Sequence, residues 1–352
     1  FCLMIEYETD QSIIERLETI SEKIQDFKKA HHMDFPLNAY FGIYKIKDKT
    51  LPAITMSDRA LLALQTLSTT GECNYGFYNG SIRKRVLMEK ELENDMQSAL
   101  DNKNFLVFLQ PKFSLETSKI VGAESLVRWL HPIRGLIPPS EFITLFEQNG
   151  FITKLDYYMF DATCKLIKQW IDDGKKPVPV SVNISRVHLY NPNLAEELYC
   201  ITLRYNIPTN LIEIELTETM DFENLSILFG IVERLKKFDF TISIDDFGSG
   251  YSSLSMLKDL PVDVIKIDRE FLSAAADEKR GRKVIESIID MAKKLDMKTV
   301  AEGVENVEQV EFLKSVNCNY VQGYYFSKPI PIKDFETNYI YTPENNLPKN
   351  FL

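Results

Sequence analysis

Short apolar or β-branched runs recur through residues 101–352, and most of them end in a polar or charged residue. The eight candidate strands end, in chain order, at Gln110, Glu124, Asn183, Glu215, Asp245, Lys266, Glu302 and Gln322. Asn183 and Glu215 are 32 residues apart, and Glu215 and Asp245 are 30 residues apart. One strand–helix unit of a (β/α)8 barrel takes about 31 residues, so each interval matches one unit.

Helical patterns fill the intervals between these candidate strands. Apolar residues at helical spacing predict helices over residues 140–150, 155–174, 194–205, 223–238, 280–295 and 306–316. This alternation indicates a parallel or mostly parallel sheet. An open, doubly wound sheet is the rival architecture, but it does not need a polar residue at the end of every strand. A barrel brings those ends together on one face. We therefore predict an α/β protein built on a (β/α)8 TIM-like barrel.

The strand ends would place many charged groups on that face. They are five carboxylates, two amides and one amine, from Glu124, Glu215, Asp245, Asp246, Glu302, Asn183, Gln322 and Lys266. Five carboxylates this close cannot all stay ionised without compensation. Two divalent cations supply a charge of +4 and bring the carboxylates near −1. Oxygen ligands without Cys or His favour Mg²⁺ or Mn²⁺ over zinc.

The stretch TISIDDFGSGYSSL, residues 241–254, carries two adjacent carboxylates at the end of a predicted strand. Successive strand residues point to opposite faces, so Asp245 and Asp246 would be splayed unless the backbone turns there. Gly248 and Gly250 permit a tight turn directly afterwards. The alternative interpretation is an ordinary solvated turn between a strand and a helix.

Composition excludes several classes of protein. The net charge of −10 argues against non-specific binding to nucleic acid polymers or anionic membranes, but allows a small anionic ligand. The five cysteines contain no CxxC pair, which favours reduced thiols in a cytoplasmic protein and no zinc site. The four histidines show no metal-binding spacing. No apolar run approaches the ~18 residues of a membrane span. Because the first residue is Phe1 and not Met, we expect the sequence to be a fragment of a longer chain.

The first hundred residues predict a smaller α/β unit. Strands are predicted over residues 1–7 and 35–46, and helices over residues 10–29 and 57–69. The segment 81–100 contains no Gly or Pro and predicts one connecting helix. We expect three parts: an N-terminal domain over residues 1–80, a linker helix over 81–100 and a barrel over 101–352.

Residues 101–335 resemble an EAL domain, the cyclic di-GMP phosphodiesterase. The matching blocks, in order, are AESLVRW (123–129), SVNIS (181–185), IELTE (214–218), IDDFGSGYSSL (244–254), VIKID (264–268), VAEGVE (300–305) and QGYYFSKP (322–329). Ser125 replaces the alanine of the EAL triplet, and Leu109 stands where an aromatic residue often precedes Gln110. The resemblance implies a first barrel strand antiparallel to the rest, and a homodimer formed through the barrel.

The resemblance also implies a role for each site residue. Glu124, Asn183, Glu215 and Asp245 would hold one cation, and Asp245 would bridge to a second held with Asp246 and Glu302. Lys266 would position or deprotonate the attacking water, and Glu218 would fix the loop after Asp246. The residues expected to contact the substrate are Gln110, Arg128, Glu305 and Gln322. Arg128 lies four residues past Glu124, which places it within reach of a phosphate at the same rim.

Residues 1–80 resemble the C-terminal part of a GGDEF, or diguanylate cyclase, domain. FCLMIEY is similar to the strand after the signature loop, and YFGIYKI (40–46) and SDRALLAL (57–64) are similar to later blocks. Gln65 stands at the place of a family lysine. This resemblance implies a partial, degenerate cyclase domain kept as a scaffold or sensor.

Three functions follow from these observations. The first is metal-dependent hydrolysis of cyclic di-GMP to linear pGpG. The second is a receptor that binds cyclic di-GMP without cleaving it and signals through the 81–100 helix. The third is a scaffold that only mediates contacts. Receptors of this fold typically lose metal ligands or the DDFG loop, and this sequence keeps both, which favours the enzyme.

Overall fold

The structure, a computed structural model, describes residues 1–31, 33, 37–65, 67, 74–217, 225–247, 260–276 and 279–341. The chain divides into two compact units, Phe1–Asp95 and Met96–Leu352. The domain boundaries drawn from the sequence, at residues 80 and 100, stay a prediction. Within the described residues, none of the helices combines the length and apolar character needed to cross a membrane.

The first unit is a small α/β layer, as its sequence predicts. Its elements are α1 (Asp10–Ala30), β1 (Phe41–Ile43), α2 (Ala53–Gln65), β2 (Tyr75–Phe77) and the first part of α3 (Gly80–Asp101). Strands β1 and β2 pair in parallel. Helix α1 begins after Thr9 because the side chains of Thr9 and Ser12 cap each other's backbone N–H groups. Helix α3 covers the predicted connecting helix.

The prediction of a strand over residues 1–7 is wrong. These residues form no strand, and their side chains are exposed. An apolar run becomes a strand only where a neighbour completes its backbone hydrogen bonds, and β1 and β2 pair with each other. Of the strand predicted over residues 35–46, the described residues 37–46 form a strand only at Phe41–Ile43.

The second unit contains a closed barrel of eight described strands, each of which overlaps one predicted strand. They are β3 (Phe105–Ser114), β4 (Ile120–His131), β6 (Val180–Ile184), β7 (Ile212–Thr217), β8 (Thr241–Phe247), β9 (Val264–Ile267), β10 (Lys298–Ala301) and β11 (Tyr320–Val321). They pair in this order, and β11 pairs with β3 to close the ring. Strand β3 is antiparallel to both of its neighbours in the ring, and the other pairs are parallel. The predicted barrel and its antiparallel first strand are both confirmed.

Two short strands lie beside the ring. Strand β5 (Gly135–Ile137) continues β4 as a hairpin, and β12 (Ile330–Pro331) pairs with β3. The described helices of this unit are α4 (Ile143–Asn149), α5 (Ile152–Asp172), α6 (Leu194–Tyr205), α7 (Leu225–Lys237), α8 (Arg269–Ala276), α9 (Lys279–Lys294), α10 (Val307–Ser315) and α11 (Ile332–Phe335). Helices α5, α7 and α9 pack against β6, β8 and β10. Helix α8 was not predicted.

Alternation along the strands separates two environments. On β8, Ile242 and Ile244 are fully buried, while Ser243 and Asp245 alternate with them. Since alternate residues of a strand share a face, the apolar residues pack under the helices and the polar ones point into the barrel. The same pattern places Glu215 of β7 inside the barrel. The barrel interior is therefore polar and charged, and the main apolar core lies between strands and helices.

Candidate active site

Lys266 lies at the centre of the carboxylate cluster. Its Nζ atom is 2.6 Å from Glu302 Oε1, 2.9 Å from Glu215 Oε2, 3.0 Å from Asp245 Oδ1 and 3.8 Å from Glu124 Oε2. The lysine side chain is 1% exposed. Burial alone would lower the pKa of Lys266, but the surrounding carboxylates raise it well above its usual value. The ammonium group therefore stays charged and holds four strand ends together.

Asn183 and Gln322 donate hydrogen bonds to the carboxylate of Glu124, and Gln110 accepts one from Gln322. Asn183 Nδ2 donates to Glu124 Oε1 at 2.9 Å, and Gln322 Nε2 donates to Glu124 Oε2. Gln322 Nε2 also donates to Gln110 Oε1 at 3.0 Å, and Gln110 Nε2 donates to the Ser327 carbonyl at 3.0 Å. Three predicted residues from separate strands thus form one hydrogen-bonded row with Glu124.

The backbone turns at Asp246 and brings two consecutive carboxylates together. Asp246 has a φ of 56°, in the left-handed region that Asp tolerates better than most residues. The pairing of β8 with β9 is shifted between Ile244 and Phe247, as in a β-bulge. One carboxylate oxygen from each of Asp245, Asp246 and Glu302 lies within 4.8 Å of the others. The turn that the sequence required at this point is present.

This cluster fits hard divalent cations. The donors are carboxylates and one amide, which suit Mg²⁺ or Mn²⁺. Burial and neighbouring carboxylates raise the pKa of Glu124 to about 7 and raise that of Glu302 well above its usual value. Burial and the acidic neighbours therefore disfavour the ionised form of both glutamates. Bound cations would provide compensating positive charge.

Two glycines let the segments after β9, β10 and β11 approach one another. Gly303 has a φ of 60°, and a Cβ atom there would lie 2.3 Å from Arg269 Cγ. A Cβ atom on Gly323 would lie 2.2 Å from the backbone nitrogen of Val304, which donates to the Gln322 carbonyl at 3.1 Å. The glycines therefore fix the positions of the adjacent Glu302 and Gln322.

Two predicted substrate-contacting residues lie outside the central cluster. The Arg128 guanidinium is half-buried, lies 5.6 Å from the centre of the Phe108 ring, and donates to the Val127 carbonyl at 2.8 Å. Glu305 is exposed, and its Oε1 atom lies 2.8 Å from Nη2 of Arg269. Neither residue joins the hydrogen-bonded carboxylates, so their role toward a ligand stays a prediction.

The predicted residues Glu218, Gly248 and Gly250 lie outside the residues that the structure describes.

Ser125, which replaces the alanine of the EAL triplet, lies within the described residues. Ser125 Oγ lies 3.0 Å from Oγ1 of Thr163 on α5, and both side chains are buried. Ser125 thus points toward a helix and away from the carboxylate cluster.

Sequence reasoning missed a second buried lysine. Lys112 is 3% exposed, and its Nζ lies 2.9 Å from Glu215 Oε1 and 3.0 Å from Glu213 Oε1. Lys112 follows Gln110 by two residues, and Glu213 precedes Glu215 by two. Continuing the two-residue period forward past Gln110 and backward from Glu215 would have found both.

It also missed the support beneath Asn183. The backbone N–H of Ser185, two residues past Asn183, donates to Asp156 Oδ2 at 2.9 Å, and Ser185 Oγ donates to Glu147 Oε1 at 3.0 Å. His188 Nε2 lies 3.2 Å from the same Asp156 oxygen. Helices α4 and α5 therefore hold the end of β6 in place.

A closed barrel with oxygen ligands gathered at its strand ends is an arrangement typical of metal-dependent barrel enzymes. Residues 93–329 match the family described as "EAL domain", and the chain belongs to this family. That match covers well over half of the chain.

Named relatives are similar over most of this chain. "Cyclic di-GMP phosphodiesterase NbdA" of Pseudomonas aeruginosa is 30% identical over 336 residues, which cover 96% of this chain and 43% of that protein. "Cyclic di-GMP phosphodiesterase PdeR" of Escherichia coli is 31% identical over 277 residues, or 79% of this chain and 42% of that protein. The chain thus spans less than half the length of either relative.

A solved structure has the same fold. The structure described as "PaMucR Phosphodiesterase, c-di-GMP complex" is 33% identical, with a TM-score of 0.66, and the match covers 70% of this chain and 99% of that one. The match supports the barrel assignment independently of the strand count.

Proposed function

We propose that this chain hydrolyses cyclic di-GMP to linear pGpG in a reaction that depends on divalent cations. The observation that carries the proposal is the cluster around Lys266, in which every described residue of the predicted ligand set is present. Membership of the EAL family and the named activity of similar proteins point to the substrate. The intact ligand set favours the enzyme over a receptor that binds without cleaving.

The proposed reaction consumes one water molecule. The water oxygen forms a bond to one phosphorus, the bond from that phosphorus to the 3′ oxygen breaks, and the 3′ oxygen leaves with a proton. The product is linear and carries a 5′ phosphate. A single cleavage gives pGpG, and a second is not required.

The donor atoms divide into two overlapping sets. Glu124, Asn183, Glu215 and Asp245 would hold one cation, and Asp245, Asp246 and Glu302 would hold the other. Bound divalent cations lower the pKa of water and offset the charge that develops on phosphate oxygens. The turn at Asp246 supports this division because it presents both aspartates on the same side.

The environment of Lys266 favours a positioning role over that of a base. The carboxylates around it raise the pKa of Lys266, and an ammonium group donates N–H to oxygen. We infer that it holds the attacking water and offsets charge near the reacting phosphate. Gln110, Arg128, Glu305 and Gln322 are proposed to contact the nucleotide, and Glu218 to fix the loop after Asp246.

Three further assignments rest on the family. We infer that the chain acts in the cytoplasm and pairs as a homodimer through the barrel. We also infer that residues 1–80 are a partial GGDEF-like domain, supported by the order of helices and strands in the first unit. Analytical ultracentrifugation of the purified chain tests the dimer directly.

The deciding experiment is incubation of the purified chain with cyclic di-GMP in Mg²⁺ or Mn²⁺, followed by chromatography of the nucleotides. We expect pGpG from the wild type and none from Glu124→Ala. As a matched control, Glu308→Ala removes an exposed glutamate at the start of α10 and should leave turnover unchanged. Tight binding without cleavage in either metal would overturn the enzymatic function and establish a receptor.

A further inference from the structure

Lys112 is buried inside the barrel on the side of Glu215 opposite Lys266. Glu215 accepts a hydrogen bond on each carboxylate oxygen, from Lys112 Nζ to Oε1 at 2.9 Å and from Lys266 Nζ to Oε2 at 2.9 Å. The Glu215 side chain is fully buried. Two donors on separate strands therefore fix both the position and the plane of this carboxylate.

Glu213 completes a row of alternating charge. It lies two residues before Glu215 on β7, so both side chains point into the barrel. Lys112 Nζ donates to Glu213 Oε1 at 3.0 Å. The row runs Glu213, Lys112, Glu215 and Lys266, and ends in the carboxylate cluster. Each lysine thus lies between two acidic partners.

The two glutamates of this row explain how the charged Lys112 can be buried, although the proposed hydrolysis does not use Lys112 directly. A buried lysine needs a paired partner, and Lys112 has two. Lys112 donates a hydrogen bond to one proposed cation ligand, Glu215. Its position is that of a group acting on Glu215.

We propose that Lys112 is a positioning residue for the cation site, holding Glu215 Oε1 so that the carboxylate is oriented before a cation binds, while Glu213 holds Lys112. The inference rests on the proposed function through the assignment of Glu215 as a ligand. Partners that orient a metal ligand typically change metal affinity or activity by about 10- to 100-fold when they are removed. The consequence should appear in cation affinity first.

The variant Lys112→Met alone leaves the partly buried Glu213 and the buried Glu215 without this cation and can fail to fold. The double variant Lys112→Met with Glu213→Gln removes both charges and keeps the barrel interior neutral at that point. Glu213→Gln alone keeps Lys112 on Glu215. Lys119→Met is the matched control, because Lys119 is exposed and directly precedes β4.

The test measures Mn²⁺ binding to each purified chain by calorimetry without nucleotide, after circular dichroism has established folding. We expect the double variant to bind Mn²⁺ at least about tenfold more weakly than the wild type, and Glu213→Gln to bind more weakly by a smaller factor. Lys119→Met should match the wild type. Hydrolysis by the double variant should recover to near the wild-type kcat at saturating Mn²⁺.

Two results would overturn the inference while leaving the enzyme intact. One is equal Mn²⁺ affinity in the wild type and the double variant. The other is weaker activity that saturating Mn²⁺ does not restore, since that would place Lys112 in the chemical step. A wild type that binds no Mn²⁺ would overturn the cation site itself, and a wild type that binds Mn²⁺ without cleaving would overturn only the proposed hydrolysis.

Discussion

The backbone N–H of Asp246 donates a hydrogen bond of 2.9 Å to Oδ1 of Asp245, the residue directly before it. Asp246 itself has a positive φ of 56°, so the chain leaves the regular strand conformation at this residue. Neighbouring residues of a regular strand would point to opposite faces. Here both carboxylates lie with Glu302 in one acidic group. One backbone conformation therefore creates a site that a straight strand could not form.

Two substitutions of Asp246 test the role of its charge and the role of its backbone conformation separately. Asn tolerates positive φ nearly as well as Asp, whereas a β-branched residue does not. We expect Asp246→Asn to lose cyclic di-GMP hydrolysis by more than about 100-fold with little change in melting temperature. Asp246→Val should lose activity and melt at a lower temperature. Its unfolding free energy should fall by about 1–3 kcal/mol, because a β-branched residue is strained at this φ. Equal melting of the two variants would argue against strain at this position.

Removing Lys266 should destabilise the protein most when cations are absent. Its ammonium is the shared partner of four carboxylates. Taking one partner out of a buried ion cluster costs about 3–5 kcal/mol. We expect Lys266→Met to melt well below the wild type in EDTA, and Mn²⁺ to raise its melting temperature more than that of the wild type. Lys294→Met, at an exposed ion pair on α9, is the control. A smaller Mn²⁺ effect in Lys266→Met would contradict the prediction.

A methyl group at Gly323 should disturb the site through backbone contact. The added Cβ would lie 2.2 Å from both the nitrogen and the oxygen of Val304. Overpacking of this kind costs about 1–3 kcal/mol, and it would displace the neighbouring Gln322 from Glu124. We expect Gly323→Ala to lower both stability and turnover, as measured by thermal denaturation and nucleotide chromatography.

Gly230→Ala provides the matched control, since a Cβ there meets no atom within 4 Å. It lies inside α7, where alanine is favoured over glycine by about 0.5–1 kcal/mol. This variant should therefore be as stable as the wild type or slightly more stable. Normal stability and turnover in Gly323→Ala would show that the two loops can move apart.

Restoring the alanine of the family triplet should leave activity unchanged. Ser125→Ala removes one partner of the buried Ser125–Thr163 hydrogen bond. An unpaired buried hydroxyl costs about 1–3 kcal/mol, whereas removing both partners can be nearly neutral. We expect Ser125→Ala to lower unfolding free energy in urea, and Ser125→Ala with Thr163→Val to recover it. Lost turnover in Ser125→Ala would mean that Ser125 acts on the site.

Strand positions could be predicted because they follow local alternation. Each of the eight predicted barrel strands overlaps an observed one, and polar residues such as Asn183 and Glu215 lie inside them as the pattern required. The same reasoning failed at residues 1–7. A run of apolar residues indicates that a segment is able to form a strand. The neighbouring strand that completes its backbone hydrogen bonds has to come from elsewhere in the chain.

The sequence by itself determined the barrel, its antiparallel first strand through family resemblance, and the chemical identity of the site. The barrel and the residue types at its strand ends are encoded locally, in periodicity and in which residue closes each strand, whereas the direction of the first strand came only from the resemblance. Tertiary structure alone decided that Lys266 pairs with four carboxylates at once, that Lys112 holds Glu215 from the opposite side, and that Glu305 pairs with Arg269. Distances between residues far apart in the chain depend on register and side-chain packing, which no local pattern specifies.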